Sequence, residues 1–121
     1  MFSVKKNALQ AFLEAAKNTY PHEFICLLSG NKKNKIIEEI VIVPSIFVDT
    51  FSSIKQHLVP FDENYIGTAH SHPSDSNKPS RQDVSTFSKM GEIHFIAKPP
   101  FSLYDLAAYD QKGKATQIKI N

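Results

Sequence analysis

Two histidines separated by a single serine, His70 and His72, close the run Tyr-Ile-Gly-Thr-Ala-His-Ser-His at residues 65–72. The run is apolar and bounded by Pro73, so it reads as a strand carrying both histidines at its end. Residues i and i+2 of a strand face the same side, here about 6.6 Å apart. Two imidazoles on one side can converge on one metal ion, and imidazole with carboxylate is an ordinary zinc donor set. A His-x-His pair by itself also reads as an exposed or hydrogen-bonded pair, so its surroundings decide.

A polar loop follows Pro73, and Ser80-Arg-Gln-Asp83 then has the form of a helix start. Ser80 is a natural N-cap, and Asp83 falls three residues later, in the first turn. A carboxylate there can face back toward the strand end. Taken alone, Ser80 and Asp83 are a capping box; together with His70 and His72 they also make a candidate metal site. Two histidines and one aspartate leave a fourth tetrahedral position for water, as in catalytic rather than structural zinc sites. A water on such a metal needs a nearby base that is not itself a ligand. Glu23, in Pro21-His-Glu-Phe24 before an apolar strand, is the candidate; on its own it reads equally as a surface ion-pair residue. Asp75, in the polar loop, is the one further carboxylate close enough in sequence to suggest a second metal.

The elements that must position these residues follow from periodicity. Leu9, Phe12, Leu13 and Ala16 mark one face of a helix over residues 5–18, ended by Pro21. Residues 24–28 and 36–43 read as strands of a hairpin around the lysine-rich turn 31–35, a solvated tip. Strands are expected at 51–59, 93–97, 103–109 and 115–120, the last two joined by a turn at 110–113. In the second helix Val84, Phe87 and Met90 should face the core, with Gly91 as its stop. His94 is expected as a packed core or edge residue, Tyr104 and Tyr109 as packing groups, and His22 to point away from Glu23. The sum is an α+β domain: one curved mixed sheet flanked by two helices, with residues 1–121 as a single unit.

Composition agrees. The 121 residues are 41% hydrophobic and 21% charged, and the net charge of +2 does not call for nucleic acid. The single cysteine, Cys26, excludes an intramolecular disulfide and suits a reducing compartment. The N-terminus lacks a signal-peptide pattern, and the most apolar stretch is too short to cross a membrane. A cytoplasmic protein is expected.

The string His70-Ser71-His72-Pro73, with Ser80, Asp83 and an upstream Glu23, resembles the JAMM (MPN-plus) zinc metalloprotease family. Pro73 to Pro79 matches that motif's seven-residue spacer, and Pro21 to Gly30 matches the family's first strand pattern. One departure is Cys26, where relatives often have glycine; it is small enough to fit. The resemblance implies the curved-sheet fold shared with cytidine deaminase-like domains, and one zinc per chain held by His70, His72 and Asp83. It implies Glu23 as general base, later passing its proton to the leaving amine, and Ser80 as hydrogen-bond donor to the oxyanion. The implied reaction is hydrolysis of the amide after the C-terminal glycine of a ubiquitin-like modifier, as in small stand-alone members from archaea and bacteria. Two alternatives stand beside it: processing of a sulfur-carrier protein, and a non-catalytic MPN binding module. A phosphoesterase would need the second metal.

Overall fold

The apolar stripe of the first helix forms as its spacing dictates. In the computed structural model, which describes residues 1–42 and 64–121, helix α1 spans Lys6–Thr19. Its buried residues are Ala8, Leu9, Phe12, Leu13 and Ala16. Thr19 turns its hydroxyl back to the Ala15 carbonyl at 2.9 Å, and Pro21, with no N–H, cannot extend the helix.

The strands are β1 (Phe2–Val4), β2 (Ile25–Asn31), β3 (Ile36–Val41), β4 (Tyr65–Ser71), β5 (Ile93–Ala97), β6 (Leu106–Asp110), β7 (Ala115–Thr116) and β8 (Ile118–Ile120). Helix α2 is Arg81–Phe87. The described strands form one mixed sheet in the order β7-β6-β5-β4-β2-β3-β1-β8. β2 and β3 make the expected antiparallel hairpin. β4 and β5 run parallel, which requires a crossover, and α2 lies in that connection. The sheet is thus curved and mixed, flanked by two helices among the described residues. No described helix is long and apolar enough to cross a membrane.

Several expectations are corrected. The three-residue strand β1 carried too short a pattern to be read; its neighbours β3 and β8 hold it, both in parallel. Residues 103–109 are not one strand: Leu103–Asp105 form a 3-10 turn capped by Ser102 and Asp105, and the strand begins at Leu106. Residues 115–120 divide at Gln117, so that β7 pairs with β6 while β8 pairs with β1 at the opposite end of the order. One residue between two opposite edges obliges those edges to meet, and the sheet curls until it is nearly closed. Helix α2 stops at Phe87 rather than at Gly91, and Met90 reaches the core from the turn beyond it. Tyr104 is 96% exposed and packs nothing, whereas Tyr109 is buried. The expected strand at 51–59, with His57, lies outside the described residues.

Alternation along the strands separates two faces. On one, Cys26, Leu28, Ala69, Phe95 and Ala97 join Leu9, Phe12 and Leu13 of α1. On the other, Leu27 packs with Met90, and Phe87 of α2 packs with Ile96 and Tyr109. The core has no room at two glycines. A Cβ on Gly67 of β4 would lie 1.7 Å from the Ile93 carbonyl oxygen of β5. Gly91 has φ of +112°, and a Cβ there would lie 2.2 Å from the Ile66 carbonyl oxygen.

His94 is fully buried on the α2 face, as a core residue. Its Nε2 donates to the Gly91 carbonyl at 3.0 Å, which leaves Nδ1 to accept from the Thr68 hydroxyl at 2.7 Å. Its ring lies flat on Phe87, with centroids 4.2 Å apart and 10° between planes. Burial drives its pKa down from 6.5 to about 4, outweighing the Gly91 and Phe87 carbonyls and the charge of Asp110.

Two outcomes follow from this packing. Gly67→Ala should separate β4 from β5 and cost about 3 kcal/mol or more by urea denaturation; an unchanged midpoint would contradict the close approach. His94 is neutral when folded, while the unfolded chain takes up the proton below pH 6.5. Its contribution is therefore present above pH 6.5 and lost as pH falls toward about 4, a loss on the order of 3 kcal/mol. Urea midpoints at pH 7, 5.5 and 4 should fall more steeply in wild type than in His94→Asn.

Candidate metal centre

Strand β4 carries His70 on the α2 face, and His72 follows one residue beyond its end. His70 is 3% exposed, and its ring centroid lies 4.9 Å from that of His72. The two Nε2 atoms are 3.1 Å apart. Asp83 enters from the first turn of α2, with Oδ1 3.5 Å from His70 Nε2 and Oδ2 3.4 Å from His72 Nε2. One donor atom from each of the three residues lies within 4.8 Å of the others.

These separations can be set against the needs of an ion. Zinc holds imidazole nitrogen at about 2.0–2.1 Å, so two nitrogens on a tetrahedral ion sit roughly 3.3–3.4 Å apart. The 3.1–3.5 Å spacings of the three groups match the edges of such a tetrahedron. The donor set, two imidazoles and one carboxylate, suits zinc chemically. Asp75, by contrast, is turned to solvent and paired with Lys98 at 3.1 Å. Among the described residues no second metal group accompanies the first.

The capping box and a candidate ligand role for Asp83 are compatible. Asp83 N–H donates to Ser80 Oγ at 3.0 Å, and Ser80 N–H donates to Asp83 Oδ2 at 2.9 Å. The cap fixes the carboxylate at the helix N-terminus, so its position is set before any ion arrives. Burial opposes ionisation of Asp83. Hydrogen bonds from His70 and His72, with the charge of His70, overcome it and hold the carboxyl well below the usual carboxylate range.

His72 is oriented from behind. Its Nδ1 donates to the Ser76 carbonyl at 2.8 Å, so Nε2 is the atom left for the centre. The loop supplying that carbonyl is pinned in turn: Tyr109 donates to the Asn77 carbonyl at 2.7 Å, and Asn77 Nδ2 donates to the Asp105 carbonyl at 3.0 Å. The hydrogen bond to Asp83 raises the His72 pKa most; burial opposes it, and the Ser76 carbonyl with the charges of Asp83 and Glu23 assists.

Glu23 acts on His72 because the sheet brings it there. β2 and β4 pair with Ile25 opposite His70. Extending that register by two residues sets Glu23 opposite His72, and residues directly opposite in an antiparallel pair share a face. Glu23 is exposed rather than tucked against the strand, so register places it, not burial. Cys26 is fully buried, with its thiol pushed up by desolvation, which suits a packing residue and not a nucleophile. His22 is exposed, its N–H held by the Thr19 carbonyl at 2.8 Å. Ser76, Asn77 and Tyr109 escaped sequence reasoning because two of the three contribute backbone carbonyls, which any residue carries.

Comparison with known proteins agrees with this geometry. The family model of prokaryotic homologs of the JAB domain matches residues 5–116. A probable metalloprotease of Haloferax volcanii is 30% identical over 97% of this chain and 78% of its own length. A solved structure described as a JAMM metalloprotease-like zinc site in the proteasome and signalosome superposes with a TM-score of 0.79 at 30% identity. That match covers all of this chain and 98% of the other. A JAB1/MPN domain protein from Archaeoglobus fulgidus gives the same TM-score and identity, over all of this chain and 97% of the other. A protein of Desulfitobacterium hafniense shares the fold at 17% identity, with a TM-score of 0.70 over all of this chain and 93% of its own. With motif, sheet order and ligand geometry in agreement, the chain belongs to the JAMM/MPN-plus metalloprotease family, within its prokaryotic JAB branch.

Proposed function

We propose that the chain is a zinc-dependent isopeptidase that hydrolyses the amide bond after the C-terminal glycine of a ubiquitin-like modifier, in the cytoplasm. The observation that carries the reading is the convergence of His70, His72 and Asp83 at tetrahedral spacing, with Glu23 two residues ahead of Ile25, the register partner of His70. The modifier rests on the JAMM resemblance. A reducing compartment fits the lone buried thiol of Cys26.

His70, His72 and Asp83 would hold one ion. Bound zinc would polarise the scissile carbonyl and make water acidic enough to lose a proton near neutral pH. The chain's own groups do the rest. Glu23 takes the proton of the attacking water, being a carboxylate beside the ligands but not among them, and gives it to the leaving lysine amine. Ser80 Oγ accepts from Asp83 N–H with a lone pair, so its own proton can donate to the carbonyl oxygen as negative charge develops there. The Ser76 carbonyl keeps His72 in the tautomer that ligation requires.

Zinc content by elemental analysis should be one ion per chain after dialysis. Asp83→Asn, which preserves much of the cap, should weaken zinc on the order of 100-fold. Wild type free of metal that cannot be loaded would contradict the centre itself. For activity, a lysine-linked conjugate of a ubiquitin-like protein ending in Gly-Gly is incubated with wild type and Glu23→Gln at matched zinc. Turnover should drop by roughly 100- to 10,000-fold in Glu23→Gln. Cleavage of linear sulfur-carrier fusions but not of the conjugate would move the substrate to that class. Zinc bound without cleavage of either would favour a binding module.

A further inference from the structure

We propose that Ser71, the residue between the two histidines, is a positioning residue for Glu23, its hydroxyl clamping the backbone next to the base. The inference rests on the role of Glu23 given above and concerns how that role is held.

The β2–β4 register ends with Ile25 opposite His70, and one step further sets Phe24 opposite Ser71. In a hydrogen-bonded antiparallel pair, two opposite residues exchange both N–H···O=C bonds. Here Ser71 N–H donates to the Phe24 carbonyl at 3.0 Å in the ordinary way. The return bond is different: Phe24 N–H donates to the Ser71 side-chain Oγ, at 2.8 Å. At the rung beside the metal ligands, a hydroxyl does what a backbone carbonyl does elsewhere in the ladder. Ser71 is 1% exposed and Phe24 half-buried, which limits the access of water to that bond.

The rung divides its faces. Ser71 and Phe24 point to the α1 side, where the Phe24 ring lies 6.1 Å from that of Phe12. Glu23 and His72 point the other way. Glu23 precedes strand β2 and is exposed, so no ladder bond of its own within β2 and no burial restrains it. What restrains it is its neighbour, held by a ring in the core and by an N–H on Ser71. Removing the hydroxyl leaves the Phe24 N–H without its acceptor in a half-buried place, and this end of the chain must then move to find another. A base displaced by about 1 Å can lose on the order of 100-fold in rate.

The test compares Ser71→Ala, Ser71→Cys, Ser71→Thr and Glu23→Gln. Amide exchange is read by NMR on the zinc-free chain, and kcat, KM and zinc content on the zinc-loaded one. In Ser71→Ala the Phe24 amide should exchange at least about 10-fold faster, with amides of β4 and β5 unchanged. Zinc content should stay level, kcat should fall on the order of 10- to 100-fold, and KM should stay within about 2-fold. Ser71→Thr keeps the hydroxyl and should restore both readouts. Ser71→Cys keeps the volume with a weak acceptor and should reproduce the loss, so a poorly folding alanine variant does not end the test. Wild-type exchange at Phe24, or wild-type kcat in Ser71→Ala and Ser71→Cys while Glu23→Gln is inactive, overturns this inference alone. Full turnover in Glu23→Gln overturns the role of the base, and the purpose assigned to Ser71 with it.

Discussion

Everything at the metal centre depends on helix α2 being seated on the sheet. The two histidines come from one strand end, but Asp83 must be delivered by an element only seven residues long. A helix that short has little stability of its own. Two things hold it: the reciprocal cap of Ser80 and Asp83 at its start, and Phe87 lying flat on His94 at its end. His94 is in turn bonded to Thr68, two residues before His70 on the same face of β4. A continuous set of contacts therefore runs from one candidate ligand to another through the core. A neutral imidazole suits this place, because burial penalises the charged form more than the Gly91 and Phe87 carbonyls and the charge of Asp110 favour it.

The β2–β4 pair shows the same economy at the other side of the centre. Strand alternation gives each rung a working face and an anchoring face. His70 and His72 occupy one, while Ala69 and Ser71 occupy the other, against α1. The candidate site residues need not all be buried to be well placed, since the residues between them are. Glu23 illustrates this: it is exposed, while its neighbour Phe24 is held by the Ser71 hydroxyl.

The centre was legible in the sequence because its signal is chemical type at short spacing. His-Ser-His-Pro, a fixed interval and Ser-x-x-Asp survive without knowledge of the fold. The major helix and the hairpin were legible because their periodicity is long enough to outweigh chance. What could not be read was what depends on partners distant in the chain. β1 has three residues and takes its form from β3 and β8. The division of residues 115–120 is decided by which edge each half meets, and nothing local marks Gln117 as the breakpoint. Tyr104 has the type of a packing residue, but the 3-10 turn ahead of β6 turns it outward. The orientation of His72 by the Ser76 carbonyl and the grip of Ser71 on Phe24 are likewise tertiary, one through a backbone atom and one through a partner 47 positions away.

The meeting of β7 and β8 has a consequence for life in a crowded solution. An open sheet presents long rows of unpaired amides and carbonyls, on which any extended chain can crystallise into an added strand. Here the outermost strands of the described sheet have two and three residues, and they face each other around the curl. The template for indiscriminate strand capture is reduced to a stub. Among the described residues, the margins of the sheet therefore offer a loose peptide little backbone to pair with.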